Sequence, residues 1–145
     1  MGPLRNILGA EAAAAFEELT LSNRDTLLVR QIKNSWPNVF RSGHFVPAVA
    51  YIQAMRHRYQ LIQEVNEVMK EVDVLVVPSF MGNQLLVTNL TGHPAVVVPH
   101  GFNQNGSPTS ITFVGNLFDE ASILSVAKKY QELTDHDDKH PEWLK

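Results

Sequence analysis

The chain has 145 residues, 44% of them hydrophobic and 19% charged, the composition of one folded globular domain and not of a disordered segment. A formal charge of −3 gives no electrostatic reason for a nucleic-acid partner, because phosphate binding needs clustered Lys and Arg. The lack of cysteine excludes disulfides, thiolate metal sites and a cysteine nucleophile, and no stretch approaches the roughly 20 apolar residues of a membrane span.

The N-terminus, Met1 to Arg5, carries no signal-peptide pattern, since the run Ala12 to Ala15 is too short and is flanked by Glu11 and Glu17. In a fragment that absence decides nothing about the compartment, which stays open, with a cytoplasmic location expected over an exported one. The Ala-rich stretch Ile7 to Leu19 predicts a helix. Ser22-Asn23-Arg24-Asp25 fits a capping box, with Ser22 as N-cap of a short helix to about Asn34 that aligns Leu28, Val29 and Ile32. Trp36-Pro37 ends that helix, and Phe40 to Phe45 reads as a connector. Pro47 suits the first turn of a long helix reaching about Glu71. Its stripe is Ala48, Ile52, Met55, Tyr59, Ile62, Val65 and Met69, in steps of three and four. Such a helix is about 37 Å long. Arg56-His57-Arg58 lies on it and reads as a solvated face.

Val72 to Val77 and Ala95 to Val98 are continuous apolar, β-branched runs, each ended by a proline. Runs of this kind belong to strands covered on both faces. Ile111 to Val114 supplies a third strand, antiparallel to the second across the turn Asn103 to Pro108, and Leu85 to Val87 a fourth. Asp119 caps a closing helix to Leu133, with Ile123, Leu124, Ala127, Tyr130 and Leu133 as its apolar stripe. Residues 135–145 form a polar tail. The expected fold class is α/β, a partial mixed sheet of three to four strands with helices on its faces. So small a sheet leaves apolar edges exposed, and the expected remedy is more sheet in a missing part of the chain or in a partner copy.

Few side chains announce chemistry. His136-Asp137-Asp138-Lys139-His140 is a polar tail before it is a metal site, and no metal or cofactor is expected. A Ser/His/Asp triad can be drawn from Ser79, Asp73 and His93 or His100, but spacing fixes no geometry for it. Phe80, Met81, Asn83 and Gln84 follow the carboxyl end of the first strand, where α/β sheets commonly place ligands.

The most informative block runs from Asn89 to Ala121. Thr91-Gly92-His93-Pro94 leads into an apolar strand and Pro99-His100-Gly101-Phe102. Gly106-Ser107-Pro108, a strand ending at Gly115, and Phe118-Asp119-Glu120-Ala121 follow. In this order the pieces resemble the C-terminal end of the amidase-signature hydrolases. Asp73 to Ser79 and the long helix resemble what precedes that end. The resemblance is strongest over residues 46–134, with 1–45 as a helical lead-in to one domain of 145 residues. It implies an α/β/α fold and, in the whole protein, hydrolysis of carbon–nitrogen amide bonds in small molecules without a metal. The family uses a serine nucleophile, a bridging serine and a lysine, the serines in a Gly- and Ser-rich segment. Here Ser35, Ser42, Ser79, Ser107, Ser110, Ser122 and Ser125 stand isolated, so no catalytic residue carries over. Thr109 to Phe113 also replaces the Gly-Leu-Gln-like run commonest in the family, which argues against a close match to its tRNA-dependent amidotransferase branch. What carries over is a role for Phe80, Met81, Asn83 and Gln84 in lining the substrate pocket. The implied function is to complete the sheet and one pocket wall, without activity alone. The alternative is a free-standing, non-catalytic module that binds a protein partner, or a second copy of itself, through its unfinished sheet edge. Neither reading calls for nucleic acid or membrane.

Overall fold

The computed structural model describes residues 2–141, so residues 142–145 of the expected polar tail lie outside the description. Chain contacts divide it into two compact units, Met1–Gln60 and Leu61–Lys145.

In the first unit, α1 (Gly2–Ala15) and α2 (Glu17–Leu21) together replace the single predicted helix. The break falls at Phe16, whose φ of −111° and ψ of 24° leave the helical range. α1 buries Leu4, Ile7, Ala12 and Ala13. Its partner is α3 (Trp36–Gly43), and the contact is made almost backbone to backbone: a Cβ at Gly43 would collide with the Gly9 carbonyl oxygen. Two expectations fail here. Ser22 does not start a helix; it closes α2, its hydroxyl donating to the Leu19 carbonyl at 3.4 Å. Asn23 then turns left-handed (φ 60°), and only a single 3₁₀ turn, Arg24–Leu27, follows. A short helix needs a buried face to persist in water. Leu27, Val29 and Ile32 find none, and Val29 is fully exposed at 104%. Asp25, which a capping box would hold at the helix start, is instead buried and paired with Arg41 (Oδ2 to Nη2, 2.5 Å). Trp36-Pro37 likewise begins α3 and ends nothing, with proline in the first turn where its missing N–H costs no hydrogen bond. The predicted connector from Phe40 is therefore half helix.

The long helix, α4 (Ala48–Met69), forms as read, with the Pro47 carbonyl accepting from Tyr51 N at 3.1 Å. Its 22 residues correspond to a length of about 33 Å. Ala54 and Met69 are buried, whereas Ile52 and Tyr59 of the predicted stripe are exposed.

The second unit is built on three strands, β1 (Val74–Pro78), β2 (Ala95–Phe102) and β3 (Pro108–Gly115), in the order β1-β3-β2. β3 pairs antiparallel with both neighbours, so β1 and β2 run in the same direction at the two edges. Val76, Phe113 and Val96 lie abreast, as do Val77, Thr112 and Val97. The hairpin turn is held by Asn103, whose side-chain oxygen accepts from the N–H groups of Asn105 and Ser107. One face packs on α6 (Glu120–Leu133), where Val98, Phe113, Ile123 and Ala127 form a core joined by Val74, Val96, Ile111 and Tyr130. Asp119 caps α6 as expected, accepting from Ser122 N at 3.3 Å. The predicted fourth strand is a correction: Leu85 to Val87 lie in α5 (Gln84–Thr91). Three apolar residues fit either structure. Gly92, left-handed at φ 82°, closes the helix by donating to the Thr88 carbonyl.

Candidate functional site

β1 ends at Pro78, but its pairing with β3 extends one residue further, Ser79 N donating to the Ser110 carbonyl at 3.4 Å. The Ser79 hydroxyl meets Thr112 Oγ1 at 2.8 Å, and Thr112 is only 1% exposed. A buried hydroxyl needs such a partner, and this pair fixes the point where the chain leaves the sheet.

The loop that follows turns sharply. Met81 N donates to the Pro78 carbonyl, and Gln84 N to the Met81 carbonyl. Phe80 and Gly82 both adopt left-handed angles, φ 62° and 58°. For glycine this costs nothing; for phenylalanine it costs about 1 kcal/mol or more. The four residues expected to line a pocket are thus neighbours in one turn, with different fates. The side chains of Phe80 and Met81 stand in solvent, Phe80 at 80% exposure, and Asn83 is also exposed. Asn83 occupies the N-cap position of α5 without a side-chain cap bond. Gln84 turns inward: both its carboxamide oxygen and nitrogen are buried with no hydrogen-bond partner. A buried carboxamide left in that state costs about 1–3 kcal/mol, unless another group arrives to pair with it. Sequence reasoning placed Gln84 in the loop, but only tertiary structure isolates its amide. The Ser79–Thr112 pair escaped that reading too, and no sequence signal joins residues 79 and 112.

The other candidates go separate ways. No Ser–His contact forms for a triad: Ser79 is taken by Thr112, His93 Nδ1 by Thr91 Oγ1 at 2.8 Å, and His100 Nδ1 by Tyr130 Oη at 2.6 Å. His93 is buried, its Nε2 has no partner, and burial holds its pKa below the ordinary value of 6.5. In the tail, His136 packs edge-on against His100, Asp137 accepts from Gln131, and Lys139 pairs with Asp135 at 2.7 Å. Among the described residues no group of three or more His, Cys, Asp or Glu is placed to hold a metal ion, and no helix is long and apolar enough to cross a membrane.

The sheet, its covering helix and the turn after β1 make up part of an α/β fold, and known proteins resemble it. Over 114 residues the chain is 30% identical to a glutamyl-tRNA(Gln) amidotransferase subunit from Brevibacillus brevis, a match that covers 66% of this chain and 23% of that protein. An amidase family protein from Bacillus anthracis str. Ames superposes with a TM-score of 0.64 at 22% identity, over 86% of this chain and 24% of its own. A 6-aminohexanoate cyclic dimer hydrolase superposes with a TM-score of 0.70 at 16% identity, over 97% of this chain and 36% of its own. No family model matches the chain. The structural likenesses carry the fold, and both comparisons are to amidase-signature proteins, of which the partial match fits a C-terminal segment. It spans 23% of the length of the curated relative it matches. This relative belongs to an amidotransferase, despite the different residues at Thr109 to Phe113.

Proposed function

We propose that this chain is the C-terminal part of an amidase, a carbon–nitrogen amide hydrolase, which completes its sheet and supplies one wall of its substrate pocket. Phe80, Met81, Asn83 and Gln84 form that wall. The observation that carries the reading is the buried, unpartnered carboxamide of Gln84 in the turn beyond the carboxyl end of β1. A carboxamide offers one acceptor and two donors, the complement of an amide substrate, and the Gln84 amide meets one when the turn around it opens. The amidase and amidotransferase names of the relatives support amide chemistry. The open edges of β1 and β2, with Val76 and Val97 exposed, support a sheet continued by other strands.

Hydrolysis itself belongs to a serine–serine–lysine set that no motif of this chain supplies. The purified 145-residue chain, incubated with simple aliphatic and aromatic amides, is therefore expected to release no ammonia above a buffer blank. Turnover that co-purifies with the chain through two unrelated separations sinks the proposal. The same open edges favour a second reading, a non-catalytic module that binds a partner or a second copy along β1 or β2. Light scattering separates the two from a self-sufficient fold: a monomer at all concentrations, with slow amide exchange along both edges, counts against both.

A further inference from the structure

The helical unit contains a pocket that the amidase reading does not use. It is an open groove of about 660 Å³, and its lining includes Phe16, Leu28, the fully exposed Val29, Arg30, Trp36 and Phe40. That volume falls within the roughly 300–1,000 Å³ typical of small-molecule sites. Its wall is aromatic. Phe40 is buried at the centre, with Phe16 stacked on it at 4.7 Å and Trp36 at 5.6 Å between ring centroids. Phe16 and Trp36 each leave about half their surface open. The break between α1 and α2 puts Phe16 there, and the proline-started α3 delivers Trp36 and Phe40 one turn apart.

The polar lining is sparse and unequal. The hydroxyl of Ser35, also in the wall, is committed to the Ile32 carbonyl at 2.6 Å. The side chains of Asn34 and Arg30 have no hydrogen-bond or ion-pair partner among the described residues. Arg24 and Arg41 of the same unit are paired, with Glu18 and Asp25. Arg30 thus brings an uncompensated positive charge to an otherwise apolar cavity. Charge complementarity decides the occupant: a carboxylate matches the guanidinium fork, and a flat apolar body matches the rings.

We propose that this pocket binds a small aromatic carboxylate, its ring against the half-open rings of Phe16 and Trp36 and its carboxylate on Arg30. The inference rests on the helical unit alone, so its failure leaves the amidase reading untouched and the reverse also holds. The test uses the full chain, with 1-naphthylacetate and its neutral amide as probes, followed by calorimetry and by the indole N–H resonance of Trp36. Saturable binding of the carboxylate that shifts this resonance is expected. Arg30→Gln is expected to weaken the carboxylate about tenfold, the loss of one charge-assisted contact, and to leave the neutral amide unchanged. Arg30 is exposed, so this variant keeps the fold, which its melting curve verifies. A second variant, Trp36→Ala, is expected to weaken both probes. No saturable binding by the unaltered chain overturns the proposal and leaves the cavity as a packing face for another protein segment. Equal weakening of both probes by Arg30→Gln also overturns it.

Discussion

The two units bury apolar surface by opposite means. In the helical unit, α1 and α3 meet through small residues, Gly9, Ala13 and Gly43, while Leu27, Val29, Ile32 and Phe45 remain exposed. In the sheet unit, large side chains interlock: Phe113 on the central strand packs with Val98 and with Ile123 of α6, while Val76 and Val97 on the edge strands, Phe80 in the turn after β1, and Phe118 and Leu133 at the ends of α6 remain exposed. Backbone-to-backbone contact cannot yield to an added atom, whereas a core of flexible side chains can shift by a few tenths of an ångström.

Glycine substitution gives the largest test of this contrast. In Gly43→Ala the new methyl would collide with the Gly9 carbonyl oxygen and lie 2.6 Å from the Ala13 Cβ. A loss of about 3 kcal/mol is expected, seen as lost amide protection in α1 and α3. Gly115→Ala meets Ile123 Cγ2 at 2.6 Å, an atom on a side chain, with the nearest backbone atom, the Asp119 carbonyl oxygen, further off at 3.3 Å. Its expected cost is nearer to about 1 kcal/mol, read from urea unfolding of the α6–β3 core. Equal costs would erase the distinction.

The ion pair of the helical unit provides a smaller test. Asp25 is 1% exposed and Arg41 41%. Arg41→Met strands a carboxylate out of water and is expected to cost about 2–3 kcal/mol at pH 7, discounted from a fully buried pair because Arg41 reaches solvent. Asp25→Asn leaves a cation that water can solvate, and its expected cost is about 1 kcal/mol. Denaturant midpoints of the two variants settle the order, and a reversed order refutes the desolvation argument.

The smallest effect belongs to the sheet unit and depends on pH. Burial lowers the pKa of His93 below 6.5, so the unfolded chain takes up that proton first. Stability is therefore level above about pH 7. It falls as pH drops through 6.5 and levels again below the folded-state value. His93→Gln is expected to flatten this slope between about pH 7 and 5. An unchanged slope refutes the assignment to His93.

Much of the fold was legible because it is locally encoded. The strands of β1, β2 and β3, the 22-residue α4, and α6 with its Asp119 cap each carry enough periodicity or capping chemistry to declare themselves. The ordered block from Asn89 to Ala121 also carried the resemblance to a family. Segments 22–45 and 84–91 did not, since short apolar runs suit helix, strand or loop alike. There tertiary contacts decided. Asp25 followed Arg41 and not a helix start, Pro37 opened a helix, and Leu85 to Val87 coiled ahead of the Gly92 stop. The candidate site divides in the same way. Sequence placed Phe80, Met81, Asn83 and Gln84 beyond a strand end, as local order allows. Only the packed structure joined Ser79 to Thr112, 33 residues away, and buried the Gln84 amide without a partner. Hydrogen-bond satisfaction is a property of the assembled interior, and no local pattern records it.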